Sequence, residues 1–130
     1  MTDGYTAVDL LAKSIENDVR VSGYEVFKYE RPSACSGNYI VVNFTDFPEE
    51  PDEEVQIGTL NVNVHTVDTV RGECSDLAQL RAVVKKIKDF YKPNKMLGEL
   101  IFEPNSSSSV IADSDETHYV NIRFNVYNFI

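Results

Sequence analysis

Val8, Leu11, Ala12, Ile15 and Val19 recur at three- and four-residue intervals. That spacing predicts a helix from about Thr6 to Val19, capped by Thr6 with Asp9 three residues on and stopped at Ser22-Gly23. The text then turns to β-formers. Tyr24–Tyr29, closed by Pro32, and Tyr39–Thr45 read as two strands joined by a loop of about nine residues. The second strand is apolar on both faces at its start, which predicts a central place in a sheet. Val55–Thr66 reads as a third, unusually long strand. Its apolar residues sit on odd positions at Val55 and Ile57, then on even ones at Leu60, Val62 and Val64. A strand cannot change face without an extra residue, so a bulge or bend is expected at Gly58-Thr59.

The second helix has the clearest pattern. Leu77, Leu80, Val83, Val84, Ile87, Phe90 and Tyr91 cover one arc of a 3.6-residue wheel. Ser75 or Asp76 is the expected cap, with Asp76 and Gln79 as a capping box, and Pro93 ends the helix. A short strand at Leu97–Glu103 follows, then a serine-rich loop over Pro104–Glu116. In the last segment Val120, Ile122, Phe124 and Val126 alternate with Asn121, Arg123 and Asn125, with His118 on the apolar side. This is the mark of a half-buried antiparallel strand. The expected fold is α+β, a mainly antiparallel sheet packed by two helices in the order α-β-β-β-α-β-β. With 130 residues and 42% hydrophobic content it forms one domain over 1–130.

Charge changes the picture in three places. Twelve basic residues against 21 acidic ones give a net −9, which disfavours nucleic acid and anionic membrane surfaces as partners. Five of the six positions 49–54 are acidic: Glu49, Glu50, Asp52, Glu53 and Glu54. They predict a solvated projection between strands. Against that background Arg81, Lys85, Lys88 and Lys92 line up as a stripe beside the apolar arc of the second helix. Such a stripe complements the helix macrodipole, and it also offers an acceptor for acidic surface.

Catalytic and metal-binding patterns are missing from the spacing. There is no phosphate-binding glycine loop and no nucleophile elbow. Cys35 and Cys74 stand alone, and His65 and His118 have no neighbour at metal-ligand spacing. Glu73 and Asp76 beside Cys74 oppose thiolate formation there. No apolar run reaches the ~20 residues of a membrane span, and the first residues lack a signal-peptide pattern. Reduced thiols, no cofactor, no metal, no enzymatic activity and a chain that is not secreted are the expectations.

The element order resembles that of the tail-terminator and tail-completion proteins of long-tailed bacteriophages. Leu10–Ile15 before Tyr24–Phe27 is similar to their opening helix and first strand. Gly37–Asn43 is similar to the second strand, Val55–Val64 to the third, the run from Asp76 to the second helix, and Tyr119–Val126 to the closing strand. The resemblance implies a homo-oligomeric ring, typically a hexamer. That ring would cap the tail tube and face the head–tail connector, assembling in the host cytoplasm before entering the virion. The expected contacts to a neighbouring copy or to the tube are Phe47, Glu49, Glu50, Asp52, Glu53, Glu54, Val55 and Ile57, with Arg81, Lys85, Lys88 and Lys92 as acceptors. The rival reading is a monomeric ligand-binding or regulatory module, with a pocket lined by Tyr and Phe between the second helix and the sheet.

Overall fold

A computed structural model describes residues 2–33, 37–48, 54–68 and 76–129. Two helices pack on one face of a seven-stranded, mostly antiparallel sheet, so the chain is α+β in the expected order, with two short strands added. The elements are α1 (Gly4–Ser14), β1 (Glu25–Lys28), β2 (Tyr39–Asp46), β3 (Val55–Val67), α2 (Leu77–Tyr91), β4 (Lys95–Leu97), β5 (Leu100–Ser107), β6 (Ile111–Ala112) and β7 (Thr117–Phe129). Strand order is β1-β2-β3-β7-β5-β4, with β6 also pairing to β7. None of the described helices is long and apolar enough to cross a membrane.

The first helix begins earlier than its periodicity predicts. Asp3, not Thr6, is the cap, its carboxylate accepting from the Thr6 backbone N–H at 2.7 Å. The predicted C-terminal part, Ile15–Val19, is a π-helical turn, closed by Arg20 in the left-handed region at φ 56°. At the start of α2, Asp76 holds the cap position without a side-chain capping bond, and Ser75 lies outside the described residues. The expected strand at Leu97–Glu103 is instead the hairpin β4–β5, turned at Gly98-Glu99 with Gly98 at φ 60°. Much of the expected 104–116 loop is β structure, because β5 runs on to Ser107 and β6 returns to the edge of β7. The strand β1 pairs with β2 in parallel.

The spine of the molecule is the antiparallel ladder between β3 and β7, unbroken from Val55–Phe129 to Val67–Thr117. The expected bulge in β3 is therefore absent. The irregularity lies across from it in β2, where the register skips between Phe44 and Asp46, opposite Leu60 and Thr59. Nor does β3 change face. Its even positions from Gln56 to Thr66 are buried throughout, and Ile57 is exposed on the other side.

The misreading came from two residues. Gln56 is fully buried although polar. Its Nε2 donates to the carbonyls of Thr2 (2.8 Å) and Pro48 (2.6 Å), while Oε1 accepts from Thr2 N (3.2 Å) and Asn128 Nδ2 (3.1 Å). Gly58, two residues on, makes room for Phe47: a Cβ there would lie 2.2 Å from the Phe47 ring.

The core fills the space between the helices and the even face. Leu11 and Ile15 from the first helix, Leu80, Ile87 and Tyr91 from α2, and Leu60, Phe102, Ile122 and Phe124 from the sheet are essentially inaccessible to water. Each contributes about 1.5–3 kcal/mol by burial. Tyr91 packs edge-on against Phe124 at 5.3 Å and donates to Ser14 Oγ at 2.7 Å, tying α2 to α1. Burial pushes its phenol well above the usual tyrosine range.

Candidate functional site

Among the described residues, two surfaces gather side chains that can do chemistry or bind a partner. The first lies along α2. Arg81, Lys85, Lys88 and Lys92 fall at helical spacing on the flank that the Val83–Ile87 core face leaves open, and the segment Ser107–Val110 runs alongside them. Together they border a groove of about 510 Å³ with Val84, Val110 and Val120 among its apolar walls. The predicted basic stripe is thus gathered into one site. Asp89, on the same flank, was legible at four residues from Lys85 and three from Lys92. It pairs with Lys85, lies 3.8 Å from Lys92, and is held below the usual carboxylate range by the Lys85 hydrogen bond. Lys88 reaches Ser107 Oγ at 3.3 Å. The groove is lined by cations and serines. It is not the aromatic pocket expected of a ligand-binding module, since Tyr91 and Phe124 are consumed by the core beneath it.

The second surface is the sheet face without helices. Its middle is a ladder of asparagines: Asn61 donates to Asn43 (3.0 Å), and Asn121 donates to Asn63 (2.8 Å) and Asn61 (3.3 Å). One end is apolar. Register sets Ile57, Tyr127, Ile101 and Met96 in one row across four strands, with Phe129 stacked beside Tyr127. Ile57 is 48% exposed, Met96 63% and Phe129 67%.

The other end is ionisable. His65 lies between Tyr39 and Tyr119, with ring centres 4.3 and 4.7 Å away and planes nearly parallel. Its Nδ1 is 3.0 Å from Thr117 Oγ1 and 3.8 Å from Asp113 Oδ2. Thr117 and the Tyr39 hydroxyl both donate to Asp115, and Arg31 lies 4.0 Å from it. Burial holds the imidazole below its ordinary pKa, and the nearby Asp115 and Asp113 only partly offset this. Burial works against the Asp115 carboxylate too, but the Thr117 and Tyr39 hydrogen bonds outweigh it and keep its pKa low. Burial and the same Asp115 raise the Tyr39 phenol. His118, on the opposite face at the same end of β7, has its own carboxylate, Asp68, at 2.6 Å.

Both histidines thus have acidic neighbours in space although neither has one at metal-ligand spacing in the sequence. Asp113 and Asp115 reach His65 because the turn before β7 folds back over β3, and no local spacing signals that.

Among the other expected contact residues, Glu54 and Ile57 are exposed and Val55 is half-buried. Phe47 is a correction. It is buried against Gly58 as part of the core and is not free to meet a neighbour. Glu49, Glu50, Asp52 and Glu53 lie outside the described residues, as do Cys35 and Cys74.

No protein-family model and no curated protein matches the chain. Fifteen chains of solved structures do match. One of them, whose designation names no activity, aligns with a TM-score of 0.57 at 16% identity, over 97% of this chain and 93% of its own. At that identity the likeness is one of fold.

Proposed function

We propose that this chain is a structural subunit of a phage tail or neck that assembles with copies of itself into a closed ring. The observation that supports this most directly is the one-sided sheet. Both helices lie on one face, and the bare face ends in the row from Ile57 to Met96 with the exposed Phe129 beside it. Contiguous apolar surface of this kind marks a contact with another macromolecule.

Charge supplies a complementary argument. An acidic stretch at 49–54 and a cationic groove on α2 belong to different parts of one chain. Pairing one with the other between copies is a heterologous contact, and such contacts close into rings when the rotation permits. The hexameric ring, the tail tube and head–tail connector as partners, and the virion as final location all follow from the resemblance in element order.

Light scattering across a salt series tests the reading. In low salt the expected mass is a closed multiple of the 14.7 kDa chain, falling as salt screens the contact. Lys88→Glu combined with Lys92→Glu should lower it further. A strict monomer at high concentration in low salt sinks the proposal.

The groove on α2 also favours a second reading, a monomeric module that takes an acidic ligand. A monomer whose unfolding temperature rises with polycarboxylates or polyphosphates, and whose rise is lost in Lys88→Glu, would favour that alternative.

A further inference from the structure

The geometry points to a divalent-cation site on the bare face of the sheet, with His65, Asp113 and Asp115 as ligands and zinc as the best-matched ion. The three side chains offer one ligand atom each, all within 4.8 Å of one another. Zinc bonds of ~2.0–2.2 Å to nitrogen and oxygen require ligand atoms somewhat closer than this. His65 Nδ1 is 3.8 Å from Asp113 Oδ2, near that spacing. An ion there would displace the proton that Nδ1 shares with Thr117 Oγ1, and Asp113, 38% exposed, has room to swing.

The supporting shell is of the kind that metal ligands use. The imidazole is fixed between two tyrosine rings and its side chain is 8% exposed. Asp115 is oriented by the Tyr39 and Thr117 hydroxyls. Outer partners of this sort set ligand orientation and sharpen affinity.

Asp113 and Asp115 bring two carboxylates to one imidazole with all three ligand atoms within 4.8 Å, and a dication would offset their like charge.

One imidazole with two carboxylates selects borderline ions. Magnesium and calcium prefer all-oxygen shells, and thiophilic ions find no sulfur ligand in the set. The remaining coordination positions face a shallow groove of about 470 Å³ lined by Asn61, Asn63, Asn121 and Arg123, where water or an oxygen of a bound partner can complete the shell. The site is made by a single copy and does not depend on assembly.

Zinc chloride titrated calorimetrically into the full chain carrying Cys35→Ser and Cys74→Ser tests this without thiolate ligands. One equivalent per chain, with a raised unfolding temperature and no competition from excess magnesium, is the expected result. Asp113→Asn should weaken binding by about tenfold or more, and Tyr39→Phe, which frees Asp115, by a comparable or smaller factor. His118→Asn should leave affinity unchanged. His65→Asn lies in a packed stack and risks the fold, so the more exposed Asp113 is the deciding position. Zinc that neither binds nor stabilises, or that binds Asp113→Asn as tightly as the parent, overturns the proposal.

Discussion

Arg123 and Phe124 are neighbours on β7, yet one meets water and the other is sealed beneath α2. Every strand of the central ladder repeats this contrast. On the helix side the positions hold mostly Leu, Val, Ile and Phe, and the buried amide of Gln56 is fully hydrogen-bonded, in part by Asn128 on the same face. On the bare side the same strands carry asparagines, paired aromatics and a histidine stacked between tyrosines beside two carboxylates. The first face encodes folding, because its residues have no free valence for anything else. The second keeps groups that a fold of this size does not need for its core, and that is where binding chemistry can reside.

The comparison can be broken most forcefully at that adjacent pair. Phe124→Ala removes a fully buried ring and should cost about 3–5 kcal/mol, whereas Arg123→Ala should stay within about 0.5 kcal/mol. Urea unfolding of both variants checks it, and similar losses would mean that the bare face is structurally indispensable too.

A smaller effect is expected at Gly58. The added methyl of Gly58→Ala meets the Phe47 ring, which should cost about 1–3 kcal/mol by overpacking. In a Phe47→Ala background the same change should cost far less, since the clash has gone. Additive losses in the double-mutant cycle would show that the contact is not the cause.

The subtlest prediction sharpens the other face. His65 has a depressed folded-state pKa, so the unfolded chain binds its proton first as pH falls. The stability it contributes is therefore complete above the ordinary histidine value of about 6.5 and declines as acid is added, before the Asp115 carboxylate titrates. Asp113 and Asp115 face the ring and pull the other way, with Arg31 opposing them. Measured with a chelator present, the drop in stability from neutral to mildly acidic pH should be shallower in His65→Asn than in the parent. An identical slope would assign the dependence to other groups.

Much of the covered face could be read from the sequence. The arc from Leu80 to Tyr91 and the alternation from Val120 to Val126 are long enough for their periods to be unambiguous, and burial follows them. Shorter or locally odd segments were harder. Gln56 looked like a surface residue because its four hydrogen bonds come from the N-terminal segment, the chain before the acidic stretch and β7, none of which is near in sequence. Ile57 suggested a change of face because an exposed isoleucine on a bare sheet face has the same letter as a buried one, although its exposure agrees with the contact role expected of it. The cationic stripe on α2 was legible in helical spacing, but Asp89 within it and the Ser107–Val110 wall that makes it a groove were not read. The His65 cluster was not, since it exists only after β7 has docked along β3 and brought its preceding turn across.

That unbroken β3–β7 pairing has a mechanical consequence. Thirteen residues at about 3.4 Å each make a girder roughly 40 Å long. The imidazole end and the apolar end of the bare face are therefore clamped at a fixed separation. A pull along the strands would have to shear its cross-links together, not open them one by one. Within the proposed ring, a chain built on such a beam would pass strain to adjoining copies without yielding internally.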